Sequence, residues 1–141
     1  MTVVVDASLI VALVVADERQ AAVQAHLARW VGSGQVLHAP AVLAYEIANV
    51  LARLAFDGDL EAGDIADTWS DLADLNIALH PFDFTQDGPA IAAITAQLRR
   101  RHAPDSSYIQ LAIQLGAAVW TLDGALARNA ADVGLPVNLI A

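Results

Sequence analysis

Two short apolar runs that each stop at an aspartate, Val3-Val4-Val5-Asp6 and Trp120-Thr121-Leu122-Asp123, lie near opposite ends of this 141-residue chain and constrain its fold most tightly. Thr2 to Val5 is β-branched and reads as a strand, Asp6 ends it, and Ser8 stands where an N-cap belongs before a helix from Leu9 to Val15. A second strand is expected at Val36–Ala39, a third at Ile77–Phe82, a fourth at Ala118–Leu122 and a fifth at Val137–Ile140. Short apolar strands alternating with helices predict an α/β domain with a mostly parallel sheet covered on both faces, and such sheets hold ligands at the carboxyl ends of their strands. Asp6 and Asp123 are therefore expected to share one edge.

The segments between the strands carry helical periodicity. Asp17 followed by Gln20 resembles a capping box, and Val23, Leu27, Trp30 and Val31 recur at helical spacing until Gly32-Ser33-Gly34. After Pro40, the set Leu43, Ile47, Val50, Leu51 and Leu54 predicts a long helix stopped by Asp57-Gly58-Asp59, with Glu46, Asn49 and Arg53 together on another face. A helix over Leu60–Leu75 is expected to bury Ile65, Trp69 and Leu72 and to turn Asp64, Asp67, Asp71 and Asp74 to solvent. Pro89 opens a further helix that runs to Arg99-Arg100-Arg101-His102, Pro104-Asp105 starts another that Gly116 closes, and a short helix precedes Gly134-Leu135-Pro136. No linker, repeat or low-complexity tract interrupts the chain, so one domain over residues 1–141 is expected.

Composition narrows the setting. With no cysteine the chain forms neither disulfide nor thiolate metal site, which fits a reducing compartment and a cytoplasmic protein. The longest apolar run, Ala7–Ala16, is too short to cross a bilayer and lies between Asp6 and Asp17, so no membrane is expected to be involved. A hydrophobic fraction of 57% leaves little polar surface, and part of the apolar surface is expected to meet a partner. The net charge of −9, with seven arginines and no lysine, repels a polyanion at long range unless divalent cations neutralise some of the acids.

Carboxylates brought together at a sheet edge raise each other's pKa, and a hard divalent cation removes that conflict. Such a group suits phosphodiester hydrolysis, because the cation takes substrate phosphate as a further ligand. Each acid also has a plainer role open to it. Asp6, Asp105 and Asp123 can each cap a helix, Glu46 can pair with Arg53, and Ser8 can be a cap hydroxyl. Tyr108 fits a core position. Arg99, Arg100 and Arg101 form the dense basic run, either meeting a phosphate backbone or closing a helix C-terminus. His26, His38, His80 and His102 lie on unrelated elements without the spacing of a zinc site.

Taken together and in order, the segments Val4-Val5-Asp6-Ala7-Ser8, Ala44-Tyr45-Glu46-Ile47-Ala48-Asn49-Val50-Leu51, Ala103-Pro104-Asp105-Ser106-Ser107-Tyr108 and Leu122-Asp123 resemble the PIN domain, specifically the VapC toxins. The resemblance covers nearly the whole chain. It implies a single PIN-like nuclease domain in which Asp6, Glu46, Asp105 and Asp123 gather around Mg²⁺ or Mn²⁺ to hydrolyse RNA. On it, Asp6 and Asp105 are the principal metal ligands, Glu46 a ligand or a positioner of the attacking water, and Asp123 a peripheral ligand acting through water. Ser8 and Asn49 support them, and Arg99, Arg100 and Arg101 are possible RNA contacts. It further implies a homodimer inhibited by a VapB-like antitoxin. Where family members often carry basic residues after the last acid, this chain has Gly124-Ala125.

Two other classes compete with that reading: another α/β phosphohydrolase using a strand-end aspartate as nucleophile, and a catalytically silent protein-binding module of the same fold. A haloacid-dehalogenase-like enzyme wants a second aspartate two residues after the first, where Ser8 stands, and a receiver domain wants a lysine that this chain lacks.

Overall fold

A computed structural model describes residues 2–141. In chain order the elements are β1 (Thr2–Val5), α1 (Ala7–Val14), α2 (Gln20–Gly32), β2 (Val36–Pro40), α3 (Val42–Phe56), α4 (Ala62–Ala73), β3 (Ala78–His80), α5 (Asp87–Leu98), α6 (Pro104–Leu115), β4 (Val119–Thr121), α7 (Gly124–Asp132) and β5 (Val137–Leu139). The five strands form one parallel sheet in the order β3-β2-β1-β4-β5, so this is a single α/β domain. Parallel strands need crossover helices, and those helices cover the sheet. Consecutive residues of β1, Val3, Val4 and Val5, are all buried, as a central strand covered on both faces requires. Helix α6 lies across β1, β2 and β4 with α5 packed on it, and α1 packs against β4, α2 and α3.

Because every strand runs the same way, all five carboxyl ends lie along one edge. Strand β1 pairs with β4 through Val4↔Val119 and Val5↔Trp120, which puts the residues following them side by side. Among the described residues no helix is long and apolar enough to cross a membrane.

Several expectations are corrected. The N-cap of α1 is Asp6, whose carboxylate accepts from the Ser8 backbone N–H; Ser8 is already inside the helix. Asp17 and Gln20 make no capping box. Asp17 instead accepts from the Arg19 backbone and guanidinium, and the Gln20 amide donates to the Ala12 and Leu13 carbonyls, closing the preceding helix. Strand β3 stops at His80 because Pro81 has no N–H for the ladder. Helix α4 buries none of its residues fully, and Trp69 is 38% exposed, because the helix rests mainly on α3 at the flank of the sheet. Its three aspartates, Asp64, Asp67 and Asp71, and its C-cap Asp74 are exposed. The histidines are not all scattered: parallel pairing of β2 with β3 brings His38 Nδ1 within 2.8 Å of His80 Nε2.

Candidate active site

Asp6 ends β1 and is 6% exposed. Its carboxylate is held from two directions on one oxygen, by the Ser8 backbone N–H at 3.0 Å and by the Ser8 hydroxyl. That hydroxyl in turn accepts from the Leu122 N–H at 2.9 Å, tying the first turn of α1 to the end of β4. Burial pushes the Asp6 carboxyl up to about 6, against the lowering effect of the Ser8 and Thr121 hydroxyls, and the charge of Asp105 pushes the same way as burial. Asp6 is thus a cap by backbone geometry and a strained charge by environment.

Strand β4 stops at Thr121, one residue short of the expected end, and Asp123 follows it after Leu122 and caps α7, its Oδ1 accepting from the Leu126 N–H at 3.0 Å. Thr121 supports this turn by accepting from the Asp123 N–H at 3.0 Å. The other two acids come from helices that cover the edge. Glu46, on α3, accepts from the Tyr108 hydroxyl at 2.6 Å and is not paired with Arg53. Burial raises its pKa, the Tyr108 hydrogen bond lowers it, and Asp105 raises it. Asp105 is not a cap: Ala103 is the N-cap of α6 and Pro104 takes the first position, which leaves Asp105 in the first turn, where the positive end of the helix dipole favours it. Its pKa is raised by burial, lowered by Arg100 and raised by Asp123. Asp105 is therefore the hub, felt by Asp6 and Glu46 and itself feeling Asp123. Among the described residues, no three His, Cys, Asp or Glu side chains are packed tightly enough to hold an ion as they stand.

The remaining named residues divide. Asn49 lines an open groove with Ala7, Ser8, Glu46 and Arg53. Of the three arginines, Arg99 ends α5 in a left-handed conformation, φ 53°, and is exposed together with Arg101. Arg100 turns inward, its Nη1 standing 3.4 Å from Asp105 Oδ2, while its buried Nε and Nη2 have no partner. Since α5 already ends at Leu98, the basic run lies beyond the helix and does not occupy its last turn.

Three contributors were missed from sequence. Tyr108 was placed in the core, and it is buried, but its hydroxyl holds Glu46 and its own pKa is driven far up by burial and by that carboxylate. Its spacing of three residues from Asp105 on one helix was the available signal. Thr121 is fully buried and reaches both Ser8 and Asp123; its place two residues before the strand-end acid gave only a faint hint. Arg128 lies one helical turn past Gly124 and folds back over it: a Cβ on Gly124 would stand 3.1 Å from Arg128 Nη1. A guanidinium thus reaches the turn after Asp123 although the two residues that directly follow that acid are Gly124 and Ala125.

The chain matches the family model described as PIN domain over residues 3–132. It is 32% identical over 132 residues to "Ribonuclease VapC3" of Pyrobaculum aerophilum, covering 92% of this chain and 95% of that protein. Among solved structures it is similar to the crystal structure of PAE2754 from Pyrobaculum aerophilum, with a TM-score of 0.66 and 19% identity over 92% of this chain and 79% of the other, a likeness of fold. A family match that includes both strand-end aspartates, with a relative aligned over nearly the full length of each chain, makes this protein a member of the PIN-domain family.

Proposed function

We propose that the protein is a Mg²⁺- or Mn²⁺-dependent endoribonuclease serving as the toxin of a toxin–antitoxin pair. The observation that carries this reading is that Asp6, Glu46 and Asp123, from three separate elements, interact by charge with Asp105, and that Asp6, Glu46 and Asp105 are pushed toward the neutral form. The donors are all carboxylate oxygens, which suits a hard divalent cation better than zinc or copper. The name of the ribonuclease relative supports RNA as the substrate.

In this reading Asp6 and Asp105 are the principal ligands, with Glu46 a third ligand or a positioner of water and Asp123 at the rim. When bound, the ion supplies charge compensation for the phosphate and makes water more acidic. The chain supplies the geometry. Ser8 holds one Asp6 oxygen in place, and Tyr108 fixes one oxygen of Glu46 so that its second can orient water or take its proton. Asp123 is only half-buried where Asp6 is buried, in keeping with a peripheral role, and the cap bond from Leu126 occupies one of its oxygens. Arg100 has two unpartnered donors beside Asp105 and is the arginine of its run best placed to meet a phosphate. Asn49 lies in the adjoining groove as a polar support. A homodimer, a VapB-like antitoxin that places a basic side chain among the acids, and a cytoplasmic location complete the reading.

The test is RNA cleavage by the purified protein. Activity that needs Mg²⁺ or Mn²⁺, ends on chelation and is lost in Asp6→Asn with the fold intact is the expected result. Wild-type cleavage by Asp6→Asn, with contaminating nuclease excluded, would sink it.

A further inference from the structure

The acid centre occupies only part of the carboxyl edge. Beyond β1 in the other direction, the ends of β2 and β3 frame a cavity of about 270 Å³, floored by Pro40, Ala41 and His80 and walled by α6 through Ser107 and Gln110. Asp105 and Tyr108 belong to the same helix, so the two sites share one wall. Strands β1 and β3 are two spacings apart, roughly 10 Å at ~4.8 Å each, the reach of one or two nucleotides.

One phenylalanine lines this cavity and a second packs against the first. Phe82 lines it and is 54% exposed, and Phe84 is 86% exposed, the pair meeting edge to face with ring centroids 5.6 Å apart. The connection that carries them is held in shape: Asp83 Oδ1 accepts from the Thr85 and Gln86 N–H groups at 2.9 Å each, and Asp87 Oδ2 accepts from the Asp83 N–H at 2.8 Å. Those two carboxylates put negative charge on the rim, which turns a phosphate away but not a neutral base. Gln86, Gln110 and Gln114 contribute side-chain amides, each carrying donor and acceptor together, the combination that matches a base edge.

We infer that this cavity is a nucleobase subsite, in which one unpaired base of a single-stranded RNA stacks on an exposed ring of the Phe82–Phe84 pair while the glutamine amides read its edge and the neighbouring phosphodiester lies at the acid centre. The inference rests on the ribonuclease reading for its substrate. Stacking on aromatic faces is how single-stranded nucleic acid is commonly gripped without phosphate contacts. In a chain of net charge −9 such a grip offsets what electrostatics cannot supply.

The probe is a short single-stranded RNA carrying 2-aminopurine at one position at a time, titrated with the full chain in Ca²⁺ and, separately, cleaved in Mn²⁺ with an abasic residue at each position in turn. The variants are Phe84→Ala and Phe82→Ala/Phe84→Ala, both at exposed positions and checked for fold by circular dichroism. The wild-type protein is expected to quench 2-aminopurine at one position within two nucleotides of the cut and to lose cleavage when that position is abasic. The double variant is expected to lose the quench, to bind roughly 5- to 100-fold more weakly, to raise KM more than it lowers kcat, and to become indifferent to the abasic residue. Unchanged quenching and an unchanged abasic profile in the double variant overturn the subsite while leaving the nuclease standing. Phenylalanine-dependent quenching without any RNA cleavage keeps the subsite and removes the nuclease. A double variant that turns from dimer to monomer in sedimentation, with the abasic profile kept, assigns the patch to contact between copies and overturns the subsite.

Discussion

The chain holds two groups of four acids, and they behave in opposite ways. Asp64, Asp67, Asp71 and Asp74 belong to one helix and its C-cap and are all exposed. Asp6, Glu46, Asp105 and Asp123 come from four elements between 40 and 117 residues of sequence apart from Asp6, and three of them carry raised pKa values from burial. A periodic acidic stripe is cheap because water screens each charge separately. Convergence costs stability in the absence of a counter-charge, since burial and like charge both favour the neutral acid. Proximity in sequence is thus a poor guide to a site, and the cost of assembling charge is a better one.

The sharpest way to break the comparison is to remove one charge from each group. Asp105→Asn keeps the volume of the hub but removes a negative donor from a centre where three other acids feel or are felt by it, and RNA cleavage is expected to fall by about 10²- to 10⁴-fold, a scale on which loss of a principal catalytic group is read. Asp67→Asn on α4 is expected to leave the rate unchanged. Equal rates for the two variants in a single-turnover assay would abolish the distinction between the two groups.

Stability should separate the groups in the opposite sense. Asp6 has a folded-state pKa of about 6 against an ordinary value of 3.8. Between those values the native chain binds more protons than the unfolded chain, so stability of the metal-free protein falls as pH rises through this window and is fully restored only below the lower value. Glu46 and Asp105 are shifted the same way and steepen the slope. At neutral pH the shift on Asp6 amounts to at most roughly 3 kcal/mol. Asn serves as well as Asp at an N-cap, so Asp6→Asn is expected to raise the metal-free midpoint at pH 7 by on the order of 5 °C and to flatten its rise on acidification. Thermal melts between pH 4 and 7 measure both; a midpoint lowered by Asp6→Asn at pH 7 would mean that its charge is not under strain.

A divalent cation tests the same point from the other side. Binding to the folded chain alone stabilises it by mass action, about 2.7 kcal/mol at a free concentration one hundred times Kd. Mn²⁺ is expected to raise the midpoint of the wild-type protein and of Asp67→Asn alike, and to do little for Asp105→Asn. An equal rise in all three proteins would place the cation on the exposed stripe or elsewhere.

Much of the fold was legible because its signals are local. The β-branched run before Asp6, the 3.6-residue period after Pro40 and the glycine at 116 each act within a few residues, and the strands and helices follow them closely. The order β3-β2-β1-β4-β5 was not legible, since it depends on which crossover helices pack against which strands. Of the candidate site, the four acids could be named because two end strands and the others carry a resemblance, and Ser8 could be named as a support, but the remaining partners could not. The Ser8 hydroxyl was assigned to a cap that Asp6 itself provides, Tyr108 was read as plain core because it is buried, and Arg128 reaches the turn after Asp123 only through the space that Gly124 leaves. Trp69 failed in the other direction: helical periodicity identifies a face but not whether a neighbour covers it.

The smallest expected effect lies at the boundary between the two groups, on Asp123. It shares the edge with Asp6, yet its Oδ1 is engaged by the Leu126 N–H as an ordinary cap. The two roles respond to different substitutions. Asp123→Asn keeps the cap oxygen and removes the charge, so stability should hold, cleavage should fall by only a few-fold, and the pKa of Asp105 should move down because one of the charges raising it is gone. Asp123→Ala removes the cap as well and should cost about 1 kcal/mol of stability on top of the same loss of rate. Denaturation with urea and single-turnover cleavage on the two variants separate these terms. If Asp123→Asn proves as damaging to cleavage as Asp105→Asn, the acid belongs at the centre of the site, and the cap bond from Leu126 fixes a principal ligand instead of marking the rim.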